Sequence, residues 1–137
     1  MSLVLDSSVT LARICEDETT DAVTLVFEHV RDHGAWVPSL WRLEVGNALE
    51  MDVRRGRHVP EFRDGALADL ALLAIQIDPE TDRHAWGATA QLAQKYRLTL
   101  YDAAYLELAV RRRIPLATLD RELRAAARSA GVQLLGE

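Results

Sequence analysis

Four acidic residues stand beside the most apolar segments of this chain. Asp6 directly follows the run LVL, and Asp120 lies one step past the apolar segment LAT. Asp102 opens the segment DAAYLELAV, and Glu44 lies inside LWRLEVGNALEM. Because carboxylates normally prefer water, this placement indicates either helix caps or a site that binds something positively charged.

The second possibility has a definite chemistry. Two unit charges ~4 Å apart repel by about 1 kcal/mol in water and by about 4 kcal/mol at a surface-like effective dielectric. A fold that gathers four carboxylates therefore needs a cation, or must keep some of them protonated. Carboxylate and water oxygens suit Mg²⁺ or Mn²⁺, and such ions activate water and neutralise phosphate charge. The acids thus favour phosphoryl transfer or phosphodiester hydrolysis.

Each acid also has an ordinary explanation. Asp6 is a favoured helix N-cap, and Asp102 and Asp120 could simply complement the positive end of a helix. Glu44 is the most informative of the four, because it is bordered by Leu43, which we expect to face the core.

Composition limits the class of protein. The 137 residues suit one domain, and the net charge is 16 − 21 = −5, unlike that of a general nucleic-acid coat protein. Lys95 is the one lysine, so any contact with nucleic acid would depend on arginines or a metal. The single cysteine, Cys15, indicates a reducing, cytoplasmic compartment. We expect no signal peptide and no membrane span.

Apolar periodicity and turn residues predict alternating strands and helices. The predicted strands are 3–5, 35–38, 74–77, 116–118 and 132–135. The predicted helices are 9–15, 19–33, 40–55, 60–73, 80–96, 101–112 and 121–130. This order, βααβααβααβαβ, favours a parallel sheet covered on both faces. Ligands of such sheets bind at the carboxyl ends of the strands, where Asp6 and Asp120 fall.

Four segments together resemble the motifs of the PIN-domain ribonucleases, most closely the VapC-type toxins of toxin–antitoxin pairs. The segments are VLDSSV, WRLEVGNAL, YDAAYLELA and ATLDREL, beginning at residues 4, 41, 101 and 117. Any one of these motifs is weak, but four in this order are specific, and the resemblance covers essentially the whole chain. The residues that match the acidic quartet are Asp6, Glu44, Asp102 and Asp120, and the residues that match the supporting polar positions are Ser8, Asn47 and Thr118.

The resemblance implies a single PIN-like domain over residues 1–137. Its expected fold is a three-layer α/β/α sandwich around a central, mainly parallel five-stranded sheet. The implied activity is Mg²⁺- or Mn²⁺-dependent endonucleolytic cleavage of RNA, with the quartet as catalytic and metal-binding residues. The implied partners are an RNA substrate, a cognate antitoxin and a second copy of the chain.

Other candidate residues carry weaker signals. Ser8 is equally suited to local capping, and Thr118 is a good strand former in any case. Arg121, next to Asp120, is the arginine placed best to contact substrate, whereas most other arginines suit helix ends and solubility. The histidines and Cys15 lack zinc-ligand spacing, and Cys15 has no obvious basic partner.

Two other functions remain open from the sequence. An acidic pocket could merely capture an arginine of a partner protein, with Val9, Leu25 and Val26 forming a groove for a partner helix. A receiver-like phosphoacceptor would also group acids at strand ends, but it needs a lysine after a late strand, and Lys95 falls late in a predicted helix.

Overall fold

The computed structural model describes the whole chain, Met1–Glu137, as five strands and eight α-helices with one short 3-10 helix. The strands are β1 (Leu3–Leu5), β2 (Ala35–Val37), β3 (Ile75–Ile77), β4 (Leu116–Ala117) and β5 (Leu134–Leu135). The first helices are α1 (Ser7–Ile14), a 3-10 turn (Glu16–Glu18), α2 (Asp21–His33), α3 (Trp41–Arg54) and α4 (Pro60–Ala71). The later helices are α5 (Thr81–Ala85), α6 (Ala88–Tyr96), α7 (Leu100–Arg112) and α8 (Arg121–Ser129). None of these helices combines the length and the apolar character of a membrane span.

The five strands form one sheet in the order β3-β2-β1-β4-β5, and every pair is parallel. The chain moves outward from β1 to β2 and β3, and then crosses back to β4 and β5 on the other side of β1. The direction of winding therefore reverses between β1 and β4. In open α/β sheets the crevice beyond the strand ends at such a reversal is the usual ligand site.

Helices cover both faces of this sheet. Right-handed crossovers, the rule for parallel strands, put α1–α4 on one face and α5–α8 on the other, because the two sets of connections run in opposite directions. The contacts between helices follow the same division: α1 touches α2 and α3, and α7 touches α5, α6 and α8. The predicted α/β/α architecture with a five-stranded sheet is confirmed, and the sheet is wholly parallel.

The core is centred on β1 and α7. All three residues of β1 are fully buried, as expected for a central strand that is covered on both faces. Helix α7 is buried along the continuous stretch from Ala103 to Ala109. Both elements are therefore held rigidly, and each carries one of the predicted acids at its end.

Two expectations about the helices are wrong. Helix α3 buries Trp41, Val45 and Leu49, which are spaced by four residues, whereas Leu43 is 78% exposed. The predicted helix 80–96 is broken at Gly87 into α5 and α6, and Trp86 at the break is 94% exposed. Leu43 and Trp86 are apolar residue types that favour burial, but tertiary packing uses a different face of each helix.

Asp78 follows β3 just as Asp6 follows β1, but arginines neutralise it. Its carboxylate is fully buried and accepts hydrogen bonds from Arg111 at 2.6 and 3.2 Å, from Arg112 at 3.4 Å and from Thr81 at 3.2 Å. Arg111 also pairs with Glu107, four residues earlier on α7. Burial alone would raise the pKa of Asp78, but the arginines hold it below its usual value. This ion pair therefore anchors α7 to the end of β3.

Breaking this ion pair should destabilise the fold. We expect Asp78→Asn to lower the free energy of unfolding by about 2–3 kcal/mol at neutral pH. The reason is that the positive charge of Arg111 is then only partly neutralised, by Glu107. Because the folded-state pKa of Asp78 is lowered, its contribution is present above its unfolded pKa and is lost as the pH falls. The measurement is urea unfolding of both proteins between pH 3 and pH 7. Exposed Asp82→Asn on α5 is the matched control, and equal stability of the two variants would contradict the expectation.

Candidate active site

Asp6 lies at the carboxyl end of β1 and is only 3% exposed. It occupies the N-cap position of α1, yet its side chain makes no capping hydrogen bond. Instead, Ser8 Oγ and Thr118 Oγ1 each donate a hydrogen bond to Asp6 Oδ2, both at 2.7 Å. Simple helix capping therefore does not explain this carboxylate, and both predicted hydroxyls lie in its immediate surroundings.

The two hydroxyls are fixed by backbone amides. Leu119 N–H donates to Ser8 Oγ at 3.0 Å, and Asp120 N–H donates to Thr118 Oγ1 at 3.0 Å. Each hydroxyl has one proton to donate, and that proton is directed to Asp6. The loop after β4 thus holds the Asp6 carboxylate in one orientation across the point where the sheet reverses its winding.

Burial raises the pKa of Asp6 above its ordinary value, and the bonds from Ser8 and Thr118 partly offset that rise. Repulsion from Asp120 adds a smaller upward contribution. The site therefore keeps a carboxylate in surroundings that disfavour its charge unless a cation is nearby.

Asp120 and Asp102 lie at the N-terminal ends of α8 and α7. Asp120 is a true cap, because its Oδ1 accepts a hydrogen bond from Leu123 N–H at 2.8 Å. The cap of α7 is Thr99, which accepts from the backbone amide of Asp102. The carboxylate of Asp102 accepts no hydrogen bond from the protein, so its helix does not need it as a cap.

Glu44 enters the site from α3 and is held by Tyr105 of α7. The hydroxyl of Tyr105 donates to Glu44 Oε1 at 2.5 Å, and the tyrosine is fully buried. Burial raises the pKa of Glu44 and also that of Tyr105. The sequence analysis did not predict Tyr105 as a site residue. Its position three residues after Asp102, on the same side of a helix, was the available signal.

The electrostatics show that the four acids are neighbours. The pKa of Asp102 is raised to about 6, first by burial and then by repulsion from Asp120, Asp6 and Glu44. Glu122, which the sequence analysis did not single out, adds to the same repulsion. The structure therefore brings together four carboxylates from β1, α3, α7 and α8, as the sequence predicted.

Two weaker candidates lie at the margin of this cluster. Asn47 is exposed on α3 and makes no hydrogen bond to the acids, so its supporting role stays a prediction. Arg121 is exposed as the first residue of α8, directly after Asp120. Its position is compatible with contact to a substrate that approaches the acids from solvent.

Arg124 is a supporting residue that sequence reasoning missed. It is 7% exposed, and its Nη1 donates to the carbonyl oxygens of Thr118 at 2.7 Å and Leu135 at 3.1 Å. It therefore fixes the chain just after β4 and β5. We expected arginines on helices to serve solubility, and only the strong amphipathic pattern of α8 hinted at this inward-facing position.

The crowding of the acids has a measurable consequence in the metal-free protein. We expect Asp102 to titrate at a pH of about 6 and Asp120→Asn to lower that pKa by removing repulsion. Because the folded-state pKa is raised, the free energy of unfolding should fall as the pH rises from 3.8 to about 6. Carboxyl-carbon NMR titration would measure the pKa.

Two variants complete this test. Asp102→Asn should remove that part of the pH dependence of unfolding, whereas the exposed substitution Asp82→Asn should leave the titration of Asp102 unchanged. An Asp102 pKa at or below 3.8 would show that the carboxylates do not interact.

Comparison with solved structures finds the same fold in distant proteins. PAE2754 from Pyrobaculum aerophilum is 22% identical, with a TM-score of 0.66 over 98% of this chain and 89% of that one. VapBC2 from Rickettsia felis, bound to a DNA fragment from their promoter, is 16% identical, with a TM-score of 0.67 over 98% and 97%. FitAcB from Neisseria gonorrhoeae is 14% identical, with a TM-score of 0.57 over 98% and 96%. At these identities the likeness concerns the fold.

The family is shown at the level of sequence. No curated protein matches the chain, but the family model of the PIN domain matches residues 3–129. That range includes all four acids and nearly every element of the sheet and its helices. The resemblance drawn from the four short motifs is thereby confirmed, and the chain belongs to the PIN-domain family, a family of nucleases.

Proposed function

We propose that this protein is a Mg²⁺- or Mn²⁺-dependent endoribonuclease and acts as the toxin of a toxin–antitoxin pair. The observation that carries the proposal is the gathering of Asp6, Glu44, Asp102 and Asp120 at the reversal point of the sheet, where burial and repulsion between the carboxylates raise the pKa of Asp102. A cation removes that repulsion. The bound cation would also attract the negative charge of a phosphodiester to the same place.

The donor set fits such an ion. The carboxylate of Asp102 is free of protein hydrogen bonds, and Glu44 Oε2 and Asp120 Oδ2 are free as well, since the contacts of both residues use the other oxygen. Elsewhere in the chain, one group of potential ligand atoms lies within 4.8 Å of one another. The four acids are not part of such a close group. This looser spacing favours an ion that keeps several of its waters, as Mg²⁺ does. Asp6, Asp102 and Asp120 would hold the ion, and Glu44 would complete the site.

When bound, the ion supplies a more acidic water and neutralises charge on the displaced phosphate oxygen. The residues supply position. Ser8 and Thr118 hold Asp6 in one orientation, and Tyr105 holds one oxygen of Glu44. The other oxygen of Glu44 is left to accept a hydrogen bond from the attacking water and align it with phosphorus. The expected products carry 5′-phosphate and 3′-hydroxyl ends.

The surface around the acids supports a local rather than a general affinity for RNA. The net charge of −5 opposes non-specific coating of nucleic acid. Arg121 is the arginine closest in sequence to the acids, and its exposed guanidinium suits a bidentate contact to a phosphate. Substrate selection would then depend on a few contacts next to the cleaved bond. We place this activity in the cytoplasm, in keeping with the single cysteine.

Cleavage of mixed cellular RNA by the purified chain tests the nuclease. We expect discrete fragments with Mg²⁺ or Mn²⁺ and none with chelator. Asp6→Asn should lower the rate by about 100-fold or more, because it removes a metal ligand that nothing else can replace. Asp82→Asn on α5 is the matched control, since it removes one exposed carboxylate outside the cluster. Full cleavage by Asp6→Asn would contradict the assignment of the site.

The alternative function has a distinct outcome in the same experiment. An acidic pocket that only captures a partner's arginine would bind that partner tightly and show no metal-dependent turnover. A receiver-like phosphoacceptor has little support, because Lys95 lies on α6 with its ammonium 5.3 Å from the ring of Tyr96. Cleavage that requires both metal and Asp6 would exclude both alternatives.

A groove of about 740 Å³ supports the proposed antitoxin partner. It lies between α1, α2 and α4, and none of the four acids lines it. Its apolar lining includes Ile14, Phe27, Phe62 and Leu70, and charged side chains of both signs border it. An amphipathic helix of a partner fits a groove of this kind. The fold shared with VapBC2 and FitAcB supports the same partner class.

The groove differs from the one that the sequence suggested. Val9 and Val26 are buried in the core and are not available to a partner. Of the three residues, only Leu25 is exposed, at 64%. Other large apolar side chains are exposed elsewhere, including Leu43, Leu72 and Trp86. They are compatible with the expected homodimer, which stays a prediction.

Two alanines on α4 provide a matched test of the groove. Ala66 lines it, whereas Ala68 is exposed on the same helix outside it. We expect Ala66→Glu to weaken binding of the cognate antitoxin by roughly tenfold or more, because it places a charge and extra volume against an apolar partner face. Ala68→Glu should leave the affinity unchanged. Calorimetric titration of each variant with the antitoxin would measure both, and equal affinities would place the interface elsewhere.

A further inference from the structure

A second group of metal-ligating side chains lies away from the four acids. Cys15 directly follows α1, Asp52 is near the end of α3, and His58 lies in the connection to α4. His58 Nε2 is 3.7 Å from Cys15 Sγ and 3.9 Å from Asp52 Oδ2. The ligand atoms of these three residues all lie within 4.8 Å of one another. The sequence expectation that Cys15 has no basic partner is wrong, because the partner is 43 residues away.

The arrangement is unlike that of a nucleophile activated by a histidine. In a catalytic triad the nucleophile and the carboxylate contact different ring nitrogens, and the imidazole relays between them. Here the thiol and the carboxylate approach the same nitrogen, Nε2. A single N–H shared between them would make two long and weak hydrogen bonds. The three different ligand atoms surround one small space, which indicates a metal ion that all three would bind.

The distances agree with zinc as that metal ion. Zinc binds sulfur at ≈ 2.3 Å, nitrogen at ≈ 2.0–2.1 Å and oxygen at ≈ 2.0–2.2 Å, so tetrahedral ligands lie about 3.4–3.6 Å apart. The two separations from His58 Nε2, 3.7 and 3.9 Å, exceed this by a few tenths of an ångström, and the thiol and the carboxylate lie within 4.8 Å of each other. A thiolate, an imidazole and a carboxylate also form a donor set that zinc accepts and Mg²⁺ does not favour. We propose that Cys15, Asp52 and His58 bind one Zn²⁺, with water in the fourth position.

The surroundings hold the three ligands in place. Cys15 is 3% exposed, and the side chains of Asp52 and His58 are 13% and 18% exposed. The ring of His58 stacks on Phe62 with centroids 4.3 Å apart, which limits its rotation. Arg57 approaches Asp52 through Oδ1, the oxygen that does not face His58. The guanidinium is itself paired with Glu18 at 2.9 Å, which reduces its repulsion of a cation.

The location suggests what the ion does. It would join the end of α1 to the end of α3, two helices whose opposite ends carry the Ser8 hydroxyl and Glu44. It would also fix His58 against Phe62, which lines the groove between α1, α2 and α4. The zinc is therefore a clamp on the helices that frame both the acidic site and the groove, and it is not part of the nuclease chemistry.

Cobalt is a suitable probe, because tetrahedral Co²⁺ with a thiolate ligand gives a near-ultraviolet charge-transfer band and strong visible bands. We expect chelator-treated protein to bind Co²⁺ at one equivalent with both signals, and Zn²⁺ to displace it. Cys15→Ser should abolish the charge-transfer band. His58→Gln and Asp52→Asn should each weaken Co²⁺ binding by roughly tenfold or more. Asp6→Asn should leave the charge-transfer band and the Co²⁺ concentration at which it appears unchanged, which separates this site from the four acids.

Three outcomes would overturn the proposal: no charge-transfer band in the folded protein, an unchanged band in Cys15→Ser, or loss of the band in Asp6→Asn. Circular dichroism of each metal-free variant ensures that an absent band comes from a folded protein. Thermal unfolding adds a second readout, because a ligand of the native state raises the midpoint of unfolding. Zn²⁺ should raise the midpoint of the natural chain by more than that of Cys15→Ser, which keeps only the four acids as a possible Zn²⁺ site. An equal rise in the midpoints of both proteins would also overturn the proposal.

Discussion

The buried carboxylate of Asp6 sets the main constraint on this structure. A carboxylate withdrawn from water is costly unless hydrogen bonds or a cation compensate it. Here the compensation comes from Ser8, the second residue of α1, and from Thr118, directly after β4. Both hydroxyls are in turn held by amides of the loop after β4. The placement of α1, β4 and α8 therefore depends on keeping one charge in one orientation.

The contrast with Asp78 explains why the charge collects where it does. Both aspartates follow strands of the same parallel sheet and are almost fully buried. Asp78 lies after β3, at the edge strand, and Arg111 and Arg112 from α7 neutralise it. Asp6 lies where the winding reverses and meets hydroxyls and further acids. An aspartate that follows a buried strand is thus part of an ion pair in one place and part of an acidic cluster in the other, and the neighbouring side chains decide which.

Much of this arrangement follows from local sequence. Short apolar runs ending in Asp, alternating with helices, were sufficient to predict the parallel sheet and the edge at which Asp6 and Asp120 meet. Asp102 and Asp120 were also predicted from the starts of their helices, which were easy to locate. These features depend on neighbouring residues and on the common geometry of parallel sheets.

The rest depends on contacts between distant residues, which no local pattern records. The side of α3 that is buried was predicted wrongly, because Leu43 is exposed while Trp41 packs inside and donates to Thr10. The bond from Tyr105 to Glu44 joins residues 61 apart, and the approach of Cys15 to His58 spans 43. The break at Gly87 was missed because one glycine within a periodic segment is a weak signal.

The central position of β1 also has a consequence for protein synthesis. Thr118, which orients Asp6, follows it by 112 residues, so the ribosome makes the carboxylate long before this hydrogen-bond partner. Strand β1 likewise waits for β4 before both of its edges are paired. A nascent chain therefore has no assembled acidic site until almost the whole domain has emerged. The four acids therefore cannot work together on any substrate before β4 and the loop that follows it have been made.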